Sequence, residues 1–325
     1  MNLESVLLLF TITTLFSVGF LFIMPYCISA LAQNSSDVPQ GYAFVRKWGS
    51  KGSLEGQFNK AEGIAVDQSS KNIYVADTDN NRVQVFDRNG RFIMSWGSLP
   101  SMNGLRDPEG IAVDQFSNVY ITEDRDPYIQ KFDKNGKFIM KFGSNGFRDG
   151  QFHKPEDVAI DPVSGDIYVA DSGNHRIQKF DSAFKFVTEW GSMGSSDGQF
   201  LFPRGIDVDS QGYVYVTDDN RRVQKFDRHG KFIMKWGSQG SADGQFSSEL
   251  EHLEVDSSDK VYVTDGGNNS RVQVFYSNGN FLAKIGLGGS MDGHFKKPED
   301  VDIDSSGHVY VVDRGNNRIQ VFAPS

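Results

Sequence analysis

Residues 80–98 read NNRVQVFDRNGRFIMSWGS, and the last ten residues, 316–325, give only the first part of the same text, NNRIQVFAPS. The stretch holds a β-branched run closed by Phe86, then Asp-Arg-Asn-Gly, then a second run closed by Trp96 and Gly97. Asn-Gly between two such runs is a strong hairpin signal, because Asn and Gly tolerate the positive φ that a tight two-residue turn demands. The chain therefore writes two strands of a hairpin here and stops after the first of them at its end.

Working outward, each hairpin follows two more short runs. The first is apolar and ends in Asp: GIAVD at 63–67 and 110–114, DVAID at 157–161, GIDVD at 205–209, HLEVD at 252–256 and DVDID at 300–304. The second is IYVAD at 73–77, with counterparts in every unit down to VYVVD at 309–313. The final Asp residues of the first run are spaced by 47, 47, 48, 47 and 48 positions, so the text is a true repeat. Four short antiparallel strands in about 47 residues is the content of a propeller blade, which buries its two faces only against neighbouring blades. GYAFVRKWGS at 41–50 matches GKFIMKWGS at 230–238, so the fourth strand missing from the sixth unit stands at the start. The expected fold is all-β: a six-bladed propeller of four-stranded antiparallel blades, closed by pairing the N-terminal strand with the C-terminal blade. Closure also protects the terminal edge strands.

The succession Pro-x-Gly/Asp, apolar-Val-Asp, Tyr-Val-Ala-Asp and Asn-Arg-Val/Ile-Gln-Val/Lys-Phe resembles the NHL repeat, over residues 41–325 and in all six units. The resemblance implies a six-bladed propeller used as a protein- or RNA-binding module. A few relatives are enzymes, such as the zinc-dependent peptidylglycine amidating lyase. That lyase carries zinc-binding histidines at the Pro-x-Gly/Asp position of several blades, where this chain has Glu or Arg.

Residues 5–24 contain no charge and are long enough to span a bilayer; Ala30-Leu31-Ala32 follows as an A-x-A cleavage pattern. The expected organisation is a signal peptide or membrane anchor at 1–32, forming an apolar leader helix, a linker at 33–40 and the propeller at 41–325. Either form of leader places the propeller outside the cytoplasm, secreted or at the cell surface, touching membrane only through the N-terminal segment. The single cysteine, Cys27, leaves the propeller without disulfides. A net charge of −9 speaks against nucleic-acid binding, which rests on Lys and Arg neutralising phosphates.

Residues repeated in every unit read as structural. The Asp ending the first run opens a turn. The acid ending the second run pairs with the Arg opening the third, except in unit two, where Tyr128 stands in its place. The Gly-rich joints between units, such as 240–246, read as solvent-exposed connections. Function is expected where the units differ. Glu62, Glu109, Glu156, Arg204, Glu251 and Glu299 occupy one repeat position near the channel mouth, where like charges raise one another's pKa or recruit a cation or basic ligand. The middle of the first run is Ala65, Ala112 and Ala159 in three units but Asp207, Glu254 and Asp302 in the others. His252 adjoins these acids, so the four form the metal-site candidates; no cofactor is expected, although oxygen ligands would suit Ca²⁺ or another divalent cation. The sequence thus points to a monomeric, extracytoplasmic binding platform for a protein, peptide or small molecule. The alternative is a propeller enzyme, a metal-assisted lyase or lactone hydrolase.

Overall fold

The computed structural model describes residues 41–98 and 103–325; the expected leader helix and linker lie outside them. Among the described residues no helix is long and apolar enough to cross a membrane.

The described residues form six four-stranded antiparallel sheets and one short parallel pair, Leu287–Gly288 with His294–Phe295. Their innermost strands are Ala61–Val66, Pro108–Val113, Pro155–Ile160, Pro203–Val208, Leu250–Val255 and Pro298–Ile303, which define blades one to six. The ring closes as the terminal match requires. Tyr42–Trp48 is the outermost strand of blade six and pairs antiparallel with Arg318–Pro324, from Tyr42 opposite Pro324 to Trp48 opposite Ile319. Apolar clusters lie between blades: the one joining blades six and one holds Phe58, Phe86, Val312 and Ile319, with Trp48 packed against it.

The first-run Asp residues act as the turn logic predicts. In all six blades Oδ1 accepts the amide two residues on, as Ser69 N to Asp67 at 2.9 Å and Ser306 N to Asp304 at 2.8 Å.

The Gly-rich joints are not merely exposed connections. Each ends in a side chain with no exposed surface, Phe58, Phe152, Phe200, Phe246 or Phe295, with Leu105 in blade two. A Cβ on Gly49, at φ +104°, would stand 2.6 Å from the Phe58 ring, so the turn that lets this ring in needs glycine. The acid–Arg pair does more than pin the loop between its own strands. In blade one the wholly buried Asp77 accepts Asn59 N at 2.8 Å, Asn80 Nδ2 at 2.9 Å, Arg82 Nε at 2.8 Å and Gln84 Nε2 at 3.0 Å. Arg82 Nη2 then donates to the joint carbonyls of Leu54 and Gln57. The pair therefore stitches the preceding joint onto the blade. Blade two has no such guanidinium: Glu123 accepts Arg106 N and Gln130 Nε2, and burial pushes its carboxyl up to about 7.

Candidate functional site

The inner strands line a central channel, and the repeat position of Glu62 falls at one end of each. The six residues expected there are brought together, with one further member. Arg204 bridges Glu156 at 2.9 Å and Glu251 at 3.5 Å, and its Nε bonds Asp219. Arg314 bridges Glu62 at 2.5 Å and Glu299 at 3.3 Å. Sequence reasoning missed Arg314 because it follows the strand-two acid, outside the aligned ring position. The signal was there: the same place holds Thr78, Asp124, Ser172, Asp219 and Gly266 in the other blades.

Two arginines thus hold four glutamates, and Glu109 is left over. Its Oε2 is buried without a hydrogen-bond partner. Burial, then the nearby Glu156 and Glu62, push its carboxyl up to about 10. Its protonated form is retained on folding while the unfolded chain releases the proton near 4.5, so stability falls as pH rises from about 4.5 towards 10. Glu109→Gln is expected to raise the melting temperature above pH 5, with a gap over the parent that widens up to pH 9. Parallel pH profiles for the two proteins would disprove this.

One residue further along the inner strands stand Asp157, His252 and Asp300. His252 Nδ1 lies 3.4 Å from Asp300 Oδ1. Burial opposes a charge on the imidazole, but Asp157 and Asp300 outweigh it and hold His252 protonated. Backbone amides of the inner strands are bound by carboxylates deeper in the channel. Asp157 accepts Ile206 N at 2.9 Å, Asp207 accepts Val255 N at 2.7 Å, Asp300 accepts Ile64 N at 2.8 Å and Asp302 accepts Val66 N at 2.6 Å. Each of these bonds ties a blade to the next one. Where Gly63 and Gly110 replace the Asp, the strands approach closely: a Cβ on Gly63 would meet the Glu109 carbonyl at 2.2 Å.

Beyond this layer a chamber of about 490 Å³ opens towards the first hairpin turns. Ala65, Ala112 and Ala159 form one wall; Asp207, Glu254 and Asp302 form the other. Asp207 hydrogen-bonds Glu254. Burial pushes Asp207 up to about 7 and Glu254 well above the usual carboxylate range, with neighbouring acids adding to the effect. A proton shared between two facing carboxyls relieves their repulsion. The four metal-site candidates are therefore split. His252 sits with Asp157 and Asp300, while Asp207, Glu254 and Asp302 line the chamber. Among the described residues no three His, Cys, Asp or Glu side chains are grouped so as to hold a metal ion.

The NHL repeat profile matches residues 58–86, 152–180 and 295–322, each running from a buried joint phenylalanine to the end of a blade's third strand. The chain belongs to the NHL-repeat propeller family. Protein brain tumor of Drosophila melanogaster is 43% identical to this NHL propeller over 63 residues, a match covering 19% of the chain and only 6% of that relative. Among solved structures, a Bacteroides thetaiotaomicron protein of unknown function aligns over 88% of this chain and 76% of its own, at 16% identity and a TM-score of 0.69. A gluconolactonase from Xanthomonas campestris aligns over 84% and 88%, at 15% identity and a TM-score of 0.60. At such identities these likenesses show the fold alone.

Proposed function

We propose that this NHL propeller is a rigid, monomeric binding platform for a protein or peptide, working outside the cytoplasm to which the apolar run at 5–24 would deliver it. The observation that carries the reading is the use the channel makes of its charges. Four channel aspartates clamp one blade to the next through backbone amides, and two arginines hold four of the five ring glutamates. Groups so engaged stiffen a scaffold, and they are spread over neighbouring blades rather than gathered around a metal ion. The full-length protein is expected to melt within about 1 °C of the same temperature in EDTA and in millimolar Ca²⁺. A ligand at a hundred times its Kd stabilises by about 2.7 kcal/mol, so a Ca²⁺-dependent rise of several degrees would overturn the metal-free platform.

One observation favours the enzyme reading. Asp207 and Glu254 form a hydrogen-bonded acid pair inside a chamber of ligand size. Hydrolysis of a lactone panel that Glu254→Gln abolishes would establish it; turnover that the variant leaves intact, or none, would dismiss it.

A further inference from the structure

The end of the channel away from the glutamate ring is built differently on its two sides. The turn tips that surround it carry Ser69, Phe116, Val163, Gln211, Ser258 and Ser306 in blades one to six. Only blades two and three present apolar tips, and these stand 75% and 74% exposed. Beneath Phe116 runs a groove of about 690 Å³ that shares Gln68, Val113, Ile160 and Pro162 with the chamber, so the two form one continuous surface. Phe116 lines this groove together with Val113, Ile160 and Pro162, so its ring extends a contiguous apolar surface, the kind of patch that marks an interaction site.

Charge says what the occupant carries. The chamber wall opposite the alanines is Asp207, Glu254 and Asp302, and the groups facing those acids include Asp157 and Asp300. His252, beside Asp300, is the counter-charge of that deeper layer. Asp207 and Asp302 are already fixed by backbone amides, so little side-chain freedom is lost when a cation arrives. The alanine wall suits the methylene stem of a Lys or Arg side chain, whose head then meets the acids. The adjoining groove suits an apolar neighbour along the same extended segment.

We propose that the chamber and groove together dock a polypeptide segment of a partner, with a basic side chain inserted against Asp207, Glu254 and Asp302 and an adjacent apolar side chain packed on Phe116, Ile160 and Pro162. The proposal rests on the platform reading and deepens it, by naming the face used and the chemistry of the partner. Glu254 hydrogen-bonds Asp207 and not the neighbouring blade's amide, and alanine is what blades one to three carry at its place, so Glu254→Ala removes a carboxyl that could pair with a basic side chain without removing a clamp. Phe116→Ser installs the residue that blades one, five and six carry at theirs.

The test is selection of a random dodecapeptide display library on the full-length protein. Enriched peptides are expected to pair a Lys or Arg with a large apolar residue. Their affinity should fall at least about tenfold on Glu254→Ala and again on Phe116→Ser, with melting temperatures near the parent's. Enriched peptides that lack a basic residue, or that bind both variants as tightly as the parent, overturn the docking site and leave the platform standing. Failure to enrich any peptide overturns both. Competition by n-butylammonium as strong, mole for mole, as by the peptides would make the chamber a small-amine site and defeat the polypeptide occupant.

Discussion

Removing residues 41–50 is expected to lower the melting temperature by ~10 °C or more, since burial of three large side chains is worth ~5–8 kcal/mol and each kcal/mol moves a domain of this size by ~2 °C. The three are Tyr42, Phe44 and Trp48. Tyr42 meets Tyr262 edge-on at 6.2 Å and bonds its hydroxyl, Phe44 packs on Phe322, and Trp48 reaches Phe86 of blade one and Tyr310 of blade six. Deletion also leaves Arg318–Pro324 as an unpaired edge, which invites aggregation. A circular permutant supplies the control. Ser325 N already donates to Gly41 O at 2.9 Å, so residues 41–50 can follow Ser325 through a short Asn-Gly turn. That permutant should recover the parent's melting temperature. A deletion that melts like the parent would mean that the terminal pairing does not hold the ring.

The closing strand was legible because it is a copy: AFVRKWGS carries the Phe found in every other fourth strand and, at the same spacing, the Trp found in three of the five, where the remaining two have Phe142 and Ile285. The turn aspartates were legible for the same reason, since their partner lies two residues away along the chain. The site was legible only in part. The ring position identified Glu62 through Glu299, yet what neutralises them was hidden, because Arg314 comes from a loop of blade six and reaches the ring through space. The clamps were hidden too. Asp157 and Asp300 stand where glycine or histidine stands in other blades, and their bonds run to the following blade, a relation that a periodic reading within one unit does not contain. The joints erred in the other direction: their Gly, Ser and Asp content suggested solvent, while one wholly buried apolar side chain in each, Phe in five and Leu105 in blade two, sets the burial.

Asp171→Ala is expected to destabilise the protein by ~3–5 kcal/mol, because it removes a wholly buried carboxylate that four donors share, one of them a buried guanidinium. The carboxylate has no exposed surface and collects four donors: His153 N at 2.8 Å, Asn174 Nδ2 at 2.8 Å, Arg176 Nε at 2.8 Å and Gln178 Nε2 at 3.0 Å. Arg176 would keep its bonds to the Phe147, Arg148 and Gln151 carbonyls and its ion pair with the more exposed Glu189, but its buried Nε and the His153 amide would lose their acceptor. Blade two offers the natural comparison. Tyr128 replaces the guanidinium there, and burial leaves Glu123 with a pKa of about 7, against 4.5 for the free side chain. Glu123 therefore withdraws stability as pH rises through that interval. Supplying the missing cation with Tyr128→Arg should lower the Glu123 pKa and restore the loss. The variant should melt close to the parent at pH 4.5 and above it at pH 8. The two changes are read by urea or thermal melts at both pH values. An Asp171→Ala loss under ~1 kcal/mol would show that the joint is held by Phe152 burial alone and not by the ion pair. A Tyr128→Arg gain that is the same at both pH values would show that the new guanidinium acts elsewhere than on Glu123.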